Sequence, residues 1–173
     1  EYYLEKPELS PKDVVVTDYR GKVVENLEAV SPAVVSIKLP FGTTMSEETT
    51  NPETITLKDS QGNEVEYTPE YSHNSYTMRF SDCLNTSESY KLYVPQDVQN
   101  IFGESFGREF TYAFTTTDKK PEFMAIESVK IAGEEFSDLT QVVNGETIDV
   151  CVEYANNSDA SIESVVSISY YND

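Results

Sequence analysis

The chain has 173 residues, a net charge of −19, 38% apolar residues, 12 Tyr, 8 Phe and no Trp. So much negative charge excludes a nucleic-acid ligand, which needs Lys and Arg to displace phosphate counterions, and disfavours anionic membrane surfaces. No apolar run approaches the ~18–20 residues of a membrane-spanning helix, so membrane insertion is not expected.

The length suits one large domain or two small ones. Abundant Tyr and β-branched residues favour strands over helices, and the aromatic side chains supply enough area for a core. The charge is spread along the chain: residues 1–117 carry −10 and residues 118–173 carry −9. It reads as a solubilising, self-repelling surface; the sharper alternative is a cation or a cationic partner. The two cysteines, Cys83 and Cys151, are far apart in sequence and are expected as free, partly buried thiols. Glu1 opens no signal-peptide pattern, and the chain reads as part of a longer protein.

Residues 1–12, with two prolines and mixed charge, read as a leading linker. Period-2 patterns then dominate. In "AVVSIKLPF", Val35, Ile37, Leu39 and Phe41 share one face, and Pro40 ends the strand or marks an edge. "MSEETTNPE" fits one short helical turn with Ser46 as its cap. "ETITLKDSQGNEVEY" predicts a hairpin: Ile55 and Leu57, a turn at Asp59 to Asn63, then Val65 and Tyr67. Tyr76, Met78 and Phe80 alternate, then Tyr90, Leu92 and Val94, then Phe110, Tyr112 and Phe114. About seven strands precede Thr117, the count of a β-sandwich.

Residues 118–122 read as a second linker. Beyond it, "FMAIESVKIAG", "QVVNGETIDVCVEY" and "IESVVSISYY" predict three or four strands, with turns at Asn144-Gly145 and in "ANNSDAS". So few strands leave edges and a face open. Residues 123–173 are therefore expected as a partial second β-rich module that is truncated, packs on the first or is completed by a partner. The expected fold class is all-β: an immunoglobulin-like sandwich over residues 13–117, followed by this partial module.

Residues ~10–117 resemble the bacterial immunoglobulin-like domains of S-layer and other cell-surface proteins. The likeness rests on "IKLPFGTTMSEET" with Phe41, Met45 and Thr49, on the hairpin from Ile55 to Val65, on "CLNTSESYKLYV", and on "VQNIFGESF" followed by "FTT". Asn100 stands where the family pattern has Asp, and Glu104 where it has Asn. Gly145, Ile148, Val150, Val152, Tyr154, Asn156 and Tyr170 resemble a module that often trails such domains. The resemblance implies a non-catalytic spacer or presentation module, extracellular or at the cell surface. Its partners would be neighbouring domains of the parent protein and cell-wall or host glycans.

Chemistry-bearing patterns are sparse. His73 is the lone histidine, without a neighbouring nucleophile, and reads as a solvated turn residue. One His and two distant Cys cannot make a zinc site. "GESFG" lacks the lysine of a phosphate loop. With 31 acidic residues, a carboxylate pair at glycosidase spacing carries no signal. For Ca²⁺ the best cluster is Asp59, Asn63 and Glu64, at the wrong spacing for an EF-hand; "SDCLN" and "NNSD" are weaker. For glycans the candidates are Tyr71, His73 and Asn74, with Tyr67 and Tyr76 expected to face the core. Lys38, on the polar face, argues against an internal Lys–Asn crosslink. Asn85 and Asn156 each open an N-glycosylation acceptor pattern. The reading is a non-enzymatic module, with a glycan- or Ca²⁺-binding module or an adhesin as its rivals.

Overall fold

The computed structural model describes residues 6–131, 134–135 and 149–157. The chain divides into two compact units, Glu1–Pro121 and Glu122–Asp173. Both are built from antiparallel strands.

The first unit holds β1 (Val15–Asp18), β2 (Val34–Leu39), β3 (Thr56–Lys58), β4 (Thr68–Ser72), β5 (Ser75–Arg79), β6 (Ser89–Val94) and β7 (Phe110–Thr115). They form two sheets, ordered β1-β2-β5-β4 and β3-β6-β7. This is the strand order of a constant-type immunoglobulin sandwich. Ile37, Leu39, Tyr76 and Met78 from one sheet and Leu57, Leu92, Val94 and Phe114 from the other belong to one buried cluster. In β6 and β7 the alternation is clean: Lys91, Thr111 and Ala113 are exposed between buried Tyr90, Leu92, Phe110, Tyr112 and Phe114. At the corner leading into β6, the Asn85 amide donates to the Tyr90 hydroxyl at 2.8 Å. A Tyr early in this strand, tied to backbone just upstream, is a hallmark of the fold. Its ring stacks on Phe114, centroids 5.5 Å apart.

Three local expectations change. The leading segment is more than a linker. Pro7 and Leu9 are buried, the Glu8 amide donates to the Phe41 carbonyl at 2.9 Å, and Pro11–Asp13 forms a 3₁₀ turn. The hairpin after β3 is short: Lys58 bridges Glu64, and the Val65 amide reaches the Leu57 carbonyl. The chain then crosses from the sheet in which β3 pairs with β6 to the other sheet, where β4 pairs with β5. Val65 and Tyr67 alternate in burial but lie in this crossover rather than in a strand. At Ser46 the chain makes an isolated turn, Thr50 amide to Ser46 carbonyl, without a helix. Pro40 follows the last residue of β2, a central strand.

The free sides of the outer strands are largely covered. On β1, Val24 donates to the Val16 carbonyl; on β3, Val65 donates to Leu57; on β7, Val30 forms a parallel bridge to Thr116. β4 carries Pro69, which has no amide hydrogen to offer. These are devices that blunt pairing between sheet edges.

In the second unit, β8 (Met124–Ile131) pairs with β9 (Glu134–Glu135) and with β10 (Val150–Asn156). A register shift at Glu153/Tyr154 interrupts the alternation, so Val150, Val152 and Ala155 are half-buried while Tyr154 is exposed. The Asn144-Gly145 turn, Ile148, Tyr170 and the "IESVVSISYY" strand lie outside the described residues. Cys83 and Cys151 are free and both exposed, a correction to the partial burial expected. Cys83 sits in the surface loop before β6. Cys151 occupies an outward position of β10.

Candidate functional site

Strand direction sorts the loops of the first unit into two poles. The registers set β1 and β5 against β2 and β4 in one sheet and β3 and β7 against β6 in the other. The bond from Ser46, after β2, to Gln99, after β6, brings the ends of those two strands to one pole, so β1, β3, β5 and β7 run one way. The N-terminal pole gathers Glu8, Leu9, the Phe41–Met45 stretch, the β4–β5 turn at His73–Asn74 and the loop between β6 and β7. They are tied by Glu8 to Phe41, Gly42 to Asn74, Ser46 to Gln99, Ile101 to Thr44 and Arg108 to Leu9. Phe41 meets Phe106 edge-on at 5.7 Å beneath them. The C-terminal pole gathers Val30, Leu84–Glu88 and Thr115–Thr117.

His73 and Asn74 form the exposed turn of the β4–β5 hairpin. Thr44 Oγ1 donates to the His73 carbonyl at 2.6 Å and lies 3.4 Å from His73 Nδ1. Tyr71 points inward: its hydroxyl donates to the Thr50 carbonyl at 2.7 Å, and its ring meets Tyr76 at 5.3 Å. Burial pushes the Tyr71 phenol up. Tyr67 donates to the Ile55 carbonyl at 2.6 Å and contacts the Tyr76 hydroxyl at 2.8 Å. Thus Tyr67 and Tyr71 anchor crossing backbone with their hydroxyls, Tyr76 bonds the Tyr67 hydroxyl, and His73 and Asn74 are accessible at the tip. Sequence reasoning missed Ile101 and Phe102, which stand 58% and 61% exposed on the neighbouring loop. They belong to "VQNIFGESF", read only as a turn.

The Asp59 cluster is a capped turn. Asp59 Oδ1 accepts the Gln61 and Asn63 amides at 2.9 and 2.8 Å, and Oδ2 accepts Asn63 Nδ2 at 2.8 Å. The Asn63 side chain, then these amides, hold the carboxyl below its ordinary value. Glu64 turns to Lys58 Nζ at 3.1 Å. The same construction appears three times among the described residues. Asp18, Asp59 and Asn100 each accept, through Oδ1, the amides two and four residues on. Each also receives its Gly three residues on, with φ of +69°, +87° and +80°. A type I turn closed by a left-handed Gly gives such a three-residue hairpin loop. "DYRGK", "DSQGN" and "NIFGE" thus recur every 41 residues. The Asp18 copy went unread in the sequence because no long alternation flanks it. Asp18 is buried on the inner face of β1, and Arg20 Nη2 meets its Oδ2 at 2.7 Å.

Among the described residues, no group of three or more His, Cys, Asp or Glu side chains is arranged to hold a metal ion. A shallow groove of about 270 Å³ lies between Pro52 and Thr56 on one side and Glu64 to Tyr67 on the other. No helix among the described residues is long and apolar enough to cross a membrane.

The sequence profile of the bacterial Ig-like domain matches residues 22–116. The chain belongs to the bacterial Ig-like domain family. Among solved structures, it is similar to the N-terminal part of the bacterial S-layer protein SbsC, at 16% identity and a TM-score of 0.37. That match covers 79% of this chain and 37% of the other. No curated protein matches the chain. In this bacterial Ig-like domain, the residues that carried the resemblance have structural roles. Phe41 and Met45 are core, Thr49 Oγ1 accepts the Gln99 amide, and the final "FTT" closes the sandwich.

Proposed function

We propose that this bacterial Ig-like chain is a non-catalytic, in-line spacer or presentation module of a secreted or cell-surface protein. Its partners in this reading are the neighbouring domains of that protein. The observation that carries the proposal is the placement of the leads. Glu8 joins the sandwich at the pole of Phe41, and Thr117 leaves it at the pole of Val30 and Ser87. Neighbours joined in this way are held apart by the length of the strands. Covered or Pro-bearing sheet edges and dispersed negative charge keep the module from pairing with copies of itself. The Thr44 hydroxyl, 3.4 Å from Nδ1 of the lone histidine, is committed to the His73 carbonyl, which supports a structural rather than nucleophilic role.

The test is replacement in the protein that carries the chain. An unrelated two-sheet domain with leads at opposite poles should preserve surface display. Display lost on that exchange would overturn the spacer reading.

One observation favours a second reading, a glycan-binding module. Phe102 is an exposed aromatic ring on the loop that Thr44 ties to the His73–Asn74 turn. An aromatic face beside polar groups suits a sugar ring. Binding on a glycan array that is lost in both Phe102→Ala and Asn74→Ala chains would favour it. No retained glycan would leave the spacer reading in place. A Ca²⁺ module predicts a melting shift with Ca²⁺ but not Mg²⁺, lost in Asp59→Ala.

A further inference from the structure

We infer that the first unit is built to carry tension along its strands, with the Thr115–Thr117 strand end as the anchor through which pull is transmitted. The inference rests on the spacer reading and adds to it a mechanical function with named residues.

The chain reaches β1 from the N-terminal pole and leaves β7 at the C-terminal pole, so a pull on the two leads runs along both strands. Hydrogen bonds between antiparallel strands lie across the strand axis. Pulling along the axis therefore loads the whole β1–β2 ladder, or the whole β6–β7 ladder, at once. Pulling two paired strands apart from one end breaks the same bonds singly.

Both leads are fastened beyond the ladders. At the N-terminal pole, Glu8 donates to the Phe41 carbonyl, Leu9 is buried, and Arg108 Nη2 donates to the Leu9 carbonyl. At the C-terminal pole the strand end is gripped on two sides. On one side, Val30 donates to the Thr115 carbonyl at 2.9 Å and Thr117 donates to the Val30 carbonyl at 2.8 Å, forming a parallel bridge. On the other, the Thr116 amide donates to Glu88 at 2.9 Å and Ser87 donates to the Thr117 carbonyl at 2.9 Å. The Thr116 side chain, itself 3% exposed, donates through Oγ1 to the Asn85 carbonyl at 2.6 Å and accepts the Glu88 amide at 3.0 Å. A polar side chain so buried and so fully engaged ties β7 to the loop before β6, where a pull arrives first.

Single-molecule force spectroscopy on the whole chain tests this, because forced unfolding reads the unfolding barrier rather than the equilibrium. Handles at the two termini load the ladders along their axis. In a Cys151→Ser chain, handles at Cys83 and the C terminus peel β7 from β6 instead. Release of residues 8–117 in the first geometry gives a step of about 400 Å, at about 3.6 Å per residue, less the folded span. The expected rupture force is roughly twofold or more higher along the axis than in peeling. Thr116→Val should lower the axial force by more than Tyr67→Phe does, with force losses compared per degree of melting-temperature loss. Thr116→Ser, which keeps the hydroxyl, should restore it. Equal forces in the two geometries, or a Thr116→Val loss no larger than that of Tyr67→Phe, would overturn the inference. Such a result would leave the replacement experiment untouched, and a failed replacement would leave the force difference standing.

Discussion

Tyr67 and Tyr76 share a hydrogen bond of 2.8 Å between their phenol oxygens, where half-buried Tyr67 packs against the core that holds Tyr76. Tyr67 gives its one hydroxyl hydrogen to the Ile55 carbonyl at 2.6 Å, so Tyr76 donates to Tyr67. The pair ties the crossover segment to β5, and neither oxygen can lose its proton without leaving a charge among apolar side chains.

Burial raises both phenols far above their ordinary value, and at Tyr76 the bond to Tyr67 raises it further. The folded state therefore holds these protons more tightly than the unfolded chain. Their stabilising contribution is complete below about pH 10, the unfolded value, and declines as pH rises above it. Ultraviolet titration should show a subset of tyrosines ionising only as the fold is lost, in step with far-ultraviolet circular dichroism. Tyr67→Phe removes the donor to Ile55 and the acceptor of Tyr76. It should cost about 1–3 kcal/mol and weaken this alkaline step.

Phe114 is 3% exposed, on the inner face of β7, stacked on Tyr90. Phe114→Ala should destabilise the first unit by about 3–5 kcal/mol, through lost burial and the cavity left behind. Urea denaturation checks this as a lower midpoint with an unchanged slope. Tyr90→Phe keeps the stack and removes only the acceptor for the Asn85 amide. Its cost should be about 1–3 kcal/mol, measured in the same way.

Gly62 and Gly103 sit at φ of +87° and +80°, with no atom within 4 Å of an added Cβ. Space is free at both positions, so the backbone alone resists substitution. Alanine at either should cost about 1–2 kcal/mol, the penalty for an L-residue in the left-handed region. Similar costs at two sites in different loops would show that the turns share one construction. A neutral Gly62→Ala would refute that.

The sequence was most legible where strands are regular. β6 and β7 alternate without interruption, so Tyr90 to Val94 and Phe110 to Phe114 announce their buried faces directly. β2 was harder: its pairing with β1 shifts at Thr17/Asp18, which buries Val34 and leaves Val35 half-exposed. Val65 and Tyr67 keep a strand's alternation while crossing between sheets, because alternation reports which side is buried and not which strand is the partner. Thr116 was read only as the end of a strand. Its grip on Asn85, Glu88 and Val30 depends on residues 28 to 86 positions away, beyond any local pattern. The exposure of Phe102 likewise follows from a turn that lifts its middle residues clear of the core. Apolar type alone suggests the opposite.

Acid should loosen the Asp59 turn. The folded Asp59 carboxylate is held below its ordinary value by Asn63, and Glu88 below its own by Ser60. Glu88 Oε1 accepts the Ser60 amide at 3.2 Å, so the two carboxylates secure the same loop, one from within and one from the residue just before β6. Each binds its proton less readily in the folded state than in the unfolded chain. Their stabilisation is therefore present above about pH 4, near the unfolded values, and is lost as pH falls through the lower folded values. Asp59→Asn keeps an Oδ1 acceptor for the Gln61 and Asn63 amides but cannot titrate. Melting temperatures followed from about pH 7 to 3 should fall less steeply in Asp59→Asn than in the parent chain, and less steeply still with Glu88→Gln added. Parallel acid slopes in all three would mean that the loss of stability comes from other carboxylates and that this turn stays closed when protonated.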